Sequence, residues 1–222
     1  MIIPWKAGKA CPLWRIASCL IREITMTIWR HPELGKFTRI EYGWNASVSA
    51  PAFRTFQYLS NGRDKKAKLE LTFETDDSDK PPSKSAASIA TRVLKNQTLL
   101  VSRIKTALWK DLHGQGENSG MWWHGDLKSI REAIASSSGD KKPLPFSEPD
   151  DLDALIGCPS ILVQESIYLY EKPVATIKFE AAFDEEHGLG VLTDGNRVLG
   201  IGYQMDAGPF FKEQVKGKKK RK

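Results

Sequence analysis

The sequence is poor in cysteine and lacks the long apolar runs of membrane proteins. Its 222 residues include three cysteines, Cys11, Cys19 and Cys158, and none of them belongs to a C-x-x-C pair. This usage excludes a disulfide framework and is typical of a reducing cytoplasm. No stretch reaches the roughly 18 apolar residues of a membrane span. Charges interrupt the N-terminal apolar stretch, and no signal-peptide cleavage site follows it. We therefore expect a cytoplasmic protein without a membrane segment.

The motifs of several enzyme and cofactor classes are also missing. The sequence has no G-x-x-x-x-G-K-[ST] phosphate loop and no G-x-S-x-G nucleophile elbow. The glycine-rich segment 114–120 follows a helical pattern instead of a strand, which excludes a dinucleotide fingerprint. The four histidines are scattered without H-E-x-x-H or H-x-H spacing, so we expect neither a metal nor a cofactor.

Positive charge is concentrated at the two ends of the chain. Of the net charge of +6, residues 1–25 contribute +3 and residues 211–222 contribute +6, which leaves −3 for residues 26–210. A nucleic-acid-binding domain spreads lysine and arginine over a face of its fold. The basic tail therefore indicates only weak, salt-sensitive contact with nucleic acid. The acidic body indicates a basic protein partner instead.

The sequence pattern predicts one α+β domain over residues 26–208. An N-terminal extension, residues 1–25, precedes it, and a basic disordered tail, residues 209–222, follows it. The extension has two interpretations. Its apolar residues recur at helical spacing and would form a short amphipathic helix, or translation starts at Met26 and the extension is never made.

Helical periods occupy the middle of the predicted domain. The pattern favours one long helix from about Ser85 to Leu112, with Ser83 or Ser85 as its N-cap. A shorter helix is expected over residues 126–135, and a further helical turn over residues 150–156.

Strand patterns lie on both sides of these helices. Leu69, Leu71 and Phe73 alternate with polar residues, and strand patterns return over residues 160–171 and 172–184. Two apolar runs then flank Asp194-Gly195, which is a hairpin signal. The order of elements predicts an α+β fold, a mostly antiparallel sheet with one long and one or two short helices packed on one face.

The segment FDEEHGLGV, residues 183–191, has a structural and a catalytic interpretation. In the structural one, residues 184–187 reverse the chain, and Gly188 and Gly190 supply positive φ or a bulge. His187 then bonds a nearby carbonyl, Glu185 or Glu186 and locks the hairpin. In the catalytic one, His187 is a general base paired with Glu186 or Glu165. Glu165 is a candidate because strand parity places its carboxylate on an apolar face, where it needs a partner.

A second cluster is MWWHGD, residues 121–126. Adjacent tryptophans in a loop are typical of interface hot spots, although one of the pair is expected to fill the gap between helices. The candidate binding residues are Trp122, Trp123, His124, Asp184, Glu185 and His187. The candidate structural-turn residues are Gly188, Gly190, Asp194 and Gly195.

Four short segments resemble a bacterial domain family of unknown function. They are HPELGKF at 31–37, the following Trp44, Pro51-Ala52-Phe53, and the terminal FDEEHGLGV with its acidic E-H-G-x-G signature. The resemblance extends over about residues 27–203. Related domains are often suspected to be immunity or accessory proteins of toxin systems, which implies binding a protein partner. The favoured function is thus a non-enzymatic protein-binding module, and the alternative is a hydrolase that uses His187 with a nearby carboxylate.

Overall fold

The computed structural model describes residues 27–59, 68–75, 80–117, 127–137 and 145–217. Nine strands follow one another in chain order across a single sheet. They are β1 (Ile28–His31), β2 (Gly35–Ile40), β3 (Gly43–Ser49), β4 (Lys68–Glu74), β5 (Ile156–Gln164), β6 (Val174–Ala181), β7 (Asp184–Thr193), β8 (Val198–Gly202) and β9 (Gly208–Pro209). Neighbouring strands are antiparallel except β4 and β5, which are parallel and are joined through the helices.

Five α-helices accompany the sheet in the described part of the chain. They are α1 (Lys84–Lys95), α2 (Gln97–Leu112), α3 (Leu127–Ser137), α4 (Leu152–Leu155) and α5 (Phe211–Gly217). Short 3-10 helices lie at Pro51–Thr55 and Pro149–Asp151. The predicted α+β class and mostly antiparallel sheet are confirmed. No described helix is long and apolar enough to cross a membrane.

The long helix predicted from Ser85 to Leu112 is in fact two helices that meet at Asn96. The Asn96 backbone leaves the helical region at φ −100° and ψ 15°. Its side-chain amide donates hydrogen bonds to the Gly195 carbonyl and the Asn196 side chain. Because the apolar stripe continues in phase across this break, periodicity alone did not locate it. Ser83 is the N-cap of α1, as predicted, since its hydroxyl accepts the Ala86 N–H at 3.0 Å.

The main core lies between the helices and one face of the sheet. Inward residues of β2 to β8 pack with residues of α1, α2, α3 and α4 in one cluster. Its largest fully buried side chains include Phe37, Phe53, Phe56, Phe73 and Phe179. Each fully buried apolar side chain contributes about 1.5–3 kcal/mol relative to exposure, so this core accounts for most of the hydrophobic stabilisation.

The opposite sheet face carries a mixed row that crosses all nine strands. The row consists of Ile28, Thr38, Asn45, Thr72, Leu162, Thr176, Leu192, Gly200 and Pro209. Toward β8 this face is partly covered by Tyr170, Ile167 and Ala207, which pack with Val174, Leu192 and Leu199. Toward β1 this face includes hydrogen-bonded polar side chains, such as Asn45 with Thr72, and the exposed apolar Ile28.

Two boundaries differ from the sequence prediction. The strand predicted over residues 160–171 ends at Gln164, and Ile167 then pairs with Tyr170 in an isolated bridge that turns the chain back. The tail predicted to be disordered from residue 209 begins with the last strand and with α5. Phe210 is buried in the core, and the nearly buried Glu213 pairs with Arg197 at 3.2 Å. These two contacts hold the start of α5 against the sheet.

Candidate functional site

The acidic segment predicted to reverse the chain is instead a bulge in β7. Ala181 pairs with Asp184, so the reversal is made by the two residues between them, Ala182 and Phe183. Both are buried, and the Ala182 N–H donates to the Leu155 carbonyl at 2.8 Å. The prediction failed because this turn is apolar and packs under α4, whereas turns are usually recognised by polar residues.

The bulge consists of residues 185–188, which lie opposite Glu180 alone, because pairing resumes only at Phe179 with Leu189. Gly188 has φ +59°, and a Cβ there would lie 2.6 Å from the Phe179 carbonyl oxygen. A side chain would be strained at this position, where the sequence analysis expected glycine to supply positive φ. We refer to residues 184–188 as the acidic bulge.

His187 holds the acidic bulge through Asp184, not through Glu185 or Glu186. Its Nδ1 lies 3.0 Å from Asp184 Oδ1, and its backbone N–H donates to the same oxygen at 3.0 Å. The ring packs against Tyr203 with a centroid distance of 4.6 Å. The His187 carbonyl accepts the Gln204 N–H at 3.2 Å. These contacts connect the bulge to the segment that follows β8.

The two glutamates of the bulge point to different surroundings. Both are exposed, but Glu185 accepts a hydrogen bond from the Tyr58 hydroxyl at 2.7 Å. Burial and the Glu185 carboxylate raise the pKa of Tyr58 above its ordinary value. Burial, followed by the charges of Asp184 and Glu186, does the same to the pKa of Tyr203. Both tyrosines thus remain neutral hydrogen-bond donors beside a negatively charged surface.

That negative charge is not balanced by nearby cations. Among the described residues, no lysine or arginine forms an ion pair with Asp184, Glu185 or Glu186. Within the described ranges, the cationic group in contact with the bulge carboxylates is the His187 ring, which is charged only when protonated. The acidic bulge therefore presents an anionic surface on a strand fixed by backbone hydrogen bonds.

Glu165 is not brought together with His187. Its carboxylate accepts hydrogen bonds from the Ser83 N–H at 2.9 Å and the Ser83 hydroxyl at 2.7 Å, next to the start of α1. Glu165 follows the end of β5 level with Val174, whereas His187 lies level with Glu180 at the other end of β6. Six strand positions correspond to roughly 20 Å. Its partner is thus a helix N-cap, where a carboxylate is favourable.

The remaining candidates are distributed as follows. Trp122, Trp123 and His124 lie outside the described residues. Asp194 and Gly195 lie between β7 and β8, which confirms the predicted hairpin. Within the described ranges, no three His, Cys, Asp or Glu side chains gather in a way that could hold a metal ion.

Sequence reasoning missed a cleft of about 560 Å³ on the open sheet face. Thr176 and Lys178 belong to its floor, and the turn at 167–169 and the segment 204–208 form its walls. Tyr168 and Met205 rise from these walls and are 86% and 76% exposed. No sequence signal marked the cleft, because residues 167–170 continue the alternation of the preceding strand.

Gln204 connects the cleft to the acidic bulge. Gln204 lines the cleft, its backbone N–H donates to His187, and its side-chain amide donates to the Phe179 carbonyl at 3.4 Å. An extended ligand that contacts the bulge can therefore continue into the cleft over Gln204.

Comparison with known proteins identifies the family. A family model described as a domain of unknown function, DUF6985, matches residues 34–208, and the chain belongs to this family. The matched segment contains the acidic bulge and all but two of the residues that line the cleft. No curated protein and no solved structure matches the chain. The expected membership in a family of unknown function is thus confirmed, while the E-H-G-x-G signature and a bacterial origin remain predictions.

Proposed function

We propose that this DUF6985 protein is a non-enzymatic binding module that takes a basic, extended segment of a partner protein. The observation that carries the proposal is the acidic bulge itself. It presents three carboxylates, those of Asp184, Glu185 and Glu186, and no described lysine or arginine pairs with them. Charge-assisted hydrogen bonds from lysine or arginine are the natural complement of such a surface.

Two of the three carboxylates are held in position before any partner arrives. Asp184 is fixed by two bonds from His187, and Glu185 by the Tyr58 hydroxyl. Groups that are already ordered lose less conformational entropy on binding. The net charge of −3 over residues 26–210 also favours binding, because it steers a basic partner toward this body.

The adjoining cleft supplies apolar contact area. Tyr168, Leu169 and Met205 are exposed apolar side chains on its walls. Exposed methionine and aromatic residues are enriched in interfaces. A segment that alternates basic and apolar residues would place its cations on the bulge and its apolar side chains in the cleft.

One observation favours the hydrolase alternative. The Nδ1 of His187 faces the Asp184 carboxylate and no hydrogen bond reaches Nε2 from the part of the chain that is described, as in a general base oriented by an acid. However, the described ring contacts of His187 are with Asp184 and Tyr203, and neither supplies a nucleophile activated by the imidazole. His187 does not line the cleft beside it. Both observations support the binding proposal over catalysis.

The test uses labelled peptides of equal length in fluorescence anisotropy. In one peptide lysine alternates with leucine, in the second lysine alternates with serine, and in the third glutamate alternates with leucine. We expect micromolar binding of the first, weaker binding of the second, and none of the third. Glu186→Lys should weaken the first complex about tenfold, or about 1.4 kcal/mol. The exposed Glu41, in the turn between β2 and β3, provides the control Glu41→Lys.

Three outcomes would contradict the proposal. The first is equal binding of all three peptides, and the second is equal binding by both charge-reversed variants. The third is turnover of nitrophenyl esters by the wild-type protein that His187→Ala abolishes without loss of the fold.

A further inference from the structure

A cavity of about 600 Å³ lies between α1 and two loops, away from the acidic bulge. The loops are the turn between β7 and β8 and the segment that enters β6 at residues 170–173. Four cationic side chains and one carboxylate line it: Lys84, Arg92, Lys172, Arg197 and Asp194. These cations come from three separate stretches of the sequence, and the fold gathers them around one space.

The single carboxylate is already engaged. Asp194 accepts the N–H groups of Asn196 and Arg197 at 2.9 and 2.8 Å and pairs with the Arg197 guanidinium at 3.3 Å. Burial acts to raise the pKa of Asp194, but the hydrogen bonds from Arg197 and Asn196 and the Arg197 charge outweigh it, so this pKa lies below its ordinary value. Arg197 is also paired with Glu213. Asp194 and Arg197 thus satisfy each other within the cavity wall.

The other three cations have no carboxylate partner in the part of the chain that the structure describes. Arg92 donates to the Asp194 carbonyl at 3.0 Å and to the Ser88 hydroxyl at 2.9 Å, and both acceptors are neutral. Lys84 and Lys172 are exposed at the rim. Among the described residues, these three positive charges have no anionic partner, and an anion bound in the cavity would neutralise them.

The wall that carries Arg92 is rigid. Gly195, at φ +88°, packs against the α1 backbone so closely that a Cβ would lie 2.6 Å from Arg92 Cβ. The turn is further held by Asn96, which donates to the Gly195 carbonyl, and by Arg103, which donates to the Asn196 carbonyl. An anion would thus meet a guanidinium whose position is fixed before binding.

We infer that this cavity binds a small phosphorylated molecule. The oxygens of a phosphate group accept several hydrogen bonds, and several hydrogen-bond donors line the cavity. These are the Arg92 guanidinium, the two rim ammonium groups, and the hydroxyls of Ser85 and Ser88, which lie one helical turn apart on α1. The volume suits a nucleotide-sized ligand better than a lone ion. Ile89 and Tyr170, both nearly buried, provide an apolar wall for the rest of that ligand.

Isothermal titration calorimetry at low salt tests the inference with three probes: ATP, inorganic pyrophosphate and citrate. We expect saturable binding of ATP and pyrophosphate that weakens as salt is added, and clearly weaker binding of citrate. Lys172→Glu should weaken ATP binding by at least about tenfold, or about 1.4 kcal/mol. Lys36→Glu reverses an equally exposed lysine on β2 and should leave ATP binding unchanged.

A second variant separates the phosphate site from charge attraction in general. Arg92→Lys keeps the charge but loses the planar fork, so it should weaken ATP binding although the net charge of the cavity is unchanged. Equal binding of citrate and ATP, equal loss in Lys36→Glu and Lys172→Glu, or no saturation by ATP would each overturn the inference. Glu186→Lys should leave ATP binding unchanged, so failure of the peptide-binding proposal would not affect this result.

Discussion

The acidic bulge should depend more on Asp184 than on His187. Replacing His187 with alanine removes the ring contacts with Asp184 and Tyr203, but it keeps the backbone N–H bond to Asp184. Replacing Asp184 with alanine removes the acceptor of both the backbone and the ring bond. Asp184→Ala thus loses a backbone hydrogen bond that His187→Ala keeps, whereas His187→Ala loses the packing on Tyr203.

The expected loss of unfolding free energy in each variant depends on how exposed the side chain is. The His187 side chain is 47% exposed, so its pairing with Asp184 contributes about 0.5 kcal/mol. Its packing on Tyr203 adds about 0.5–1 kcal/mol. The Asp184 side chain is only 11% exposed, and its loss removes the charge-assisted hydrogen bond from the His187 backbone N–H at a cost of about 1.5–2.5 kcal/mol, in addition to the lost pairing with the ring. We expect about 1 kcal/mol for His187→Ala and about 2–3 kcal/mol for Asp184→Ala.

Thermal and urea unfolding followed by circular dichroism provide the measurement. At roughly 2–4 °C per kcal/mol for a chain of this size, the melting temperature should fall by about 3 °C in His187→Ala and about 7 °C in Asp184→Ala. Glu186→Ala is the matched control, because this glutamate is exposed and should change the free energy of unfolding by less than about 0.5 kcal/mol. A loss in His187→Ala equal to or larger than that in Asp184→Ala would refute the reasoning.

Three further predictions concern the scaffold. Glu165→Ala removes both hydrogen bonds to the N-cap of α1 and should lower the free energy of unfolding by about 1–2 kcal/mol in urea titration. Gly157→Ala places a Cβ 1.9 Å from the Tyr58 carbonyl oxygen and should cost at least about 3 kcal/mol, whereas Gly208→Ala, with open space around it, should cost far less. Asp194→Asn should destabilise the protein at pH 7, because a lowered carboxyl pKa contributes stability above the ordinary value of 3.8. That difference from wild type should shrink as the pH falls below about 4, and a constant difference would contradict the assignment.

Much of the fold could be predicted because its signals are local. The alternation around Leu71 and Phe73 gives β4, Asp194-Gly195 gives the hairpin between β7 and β8, and Ser83 gives the start of α1. Each of these depends on neighbours within a few residues, where period and turn chemistry are reliable.

The errors occurred where a distant contact determines the local conformation. The break at Asn96 is stabilised by bonds to the turn at 194–197, about a hundred residues later in the chain. The reversal at Ala182-Phe183 is apolar because it packs under α4. Neither partner is visible in the local sequence, so tertiary contacts overrode the pattern in both places.

The sequence singled out residues 184–188 but did not predict which residues they contact. The conspicuous segment 184–188 does form a distinct structure, yet His187 bonds Asp184, while Glu165 serves a helix cap elsewhere. Carboxylates near a histidine in sequence are ambiguous, because strand pairing and bulges decide which of them the ring can reach.

The net charge of the folded body does not show where its positive and negative side chains lie. Residues 26–210 carry a net −3, which indicates an acidic protein, but β7 separates two surfaces of opposite sign. The acidic bulge lies at the start of β7, and the cationic cavity borders the turn that follows its end at Thr193. Along β6 this separation is six strand positions, roughly 20 Å, which is about twice the Debye length at physiological salt. The two surfaces should therefore act independently, so that a charge reversal at one provides a control for binding at the other.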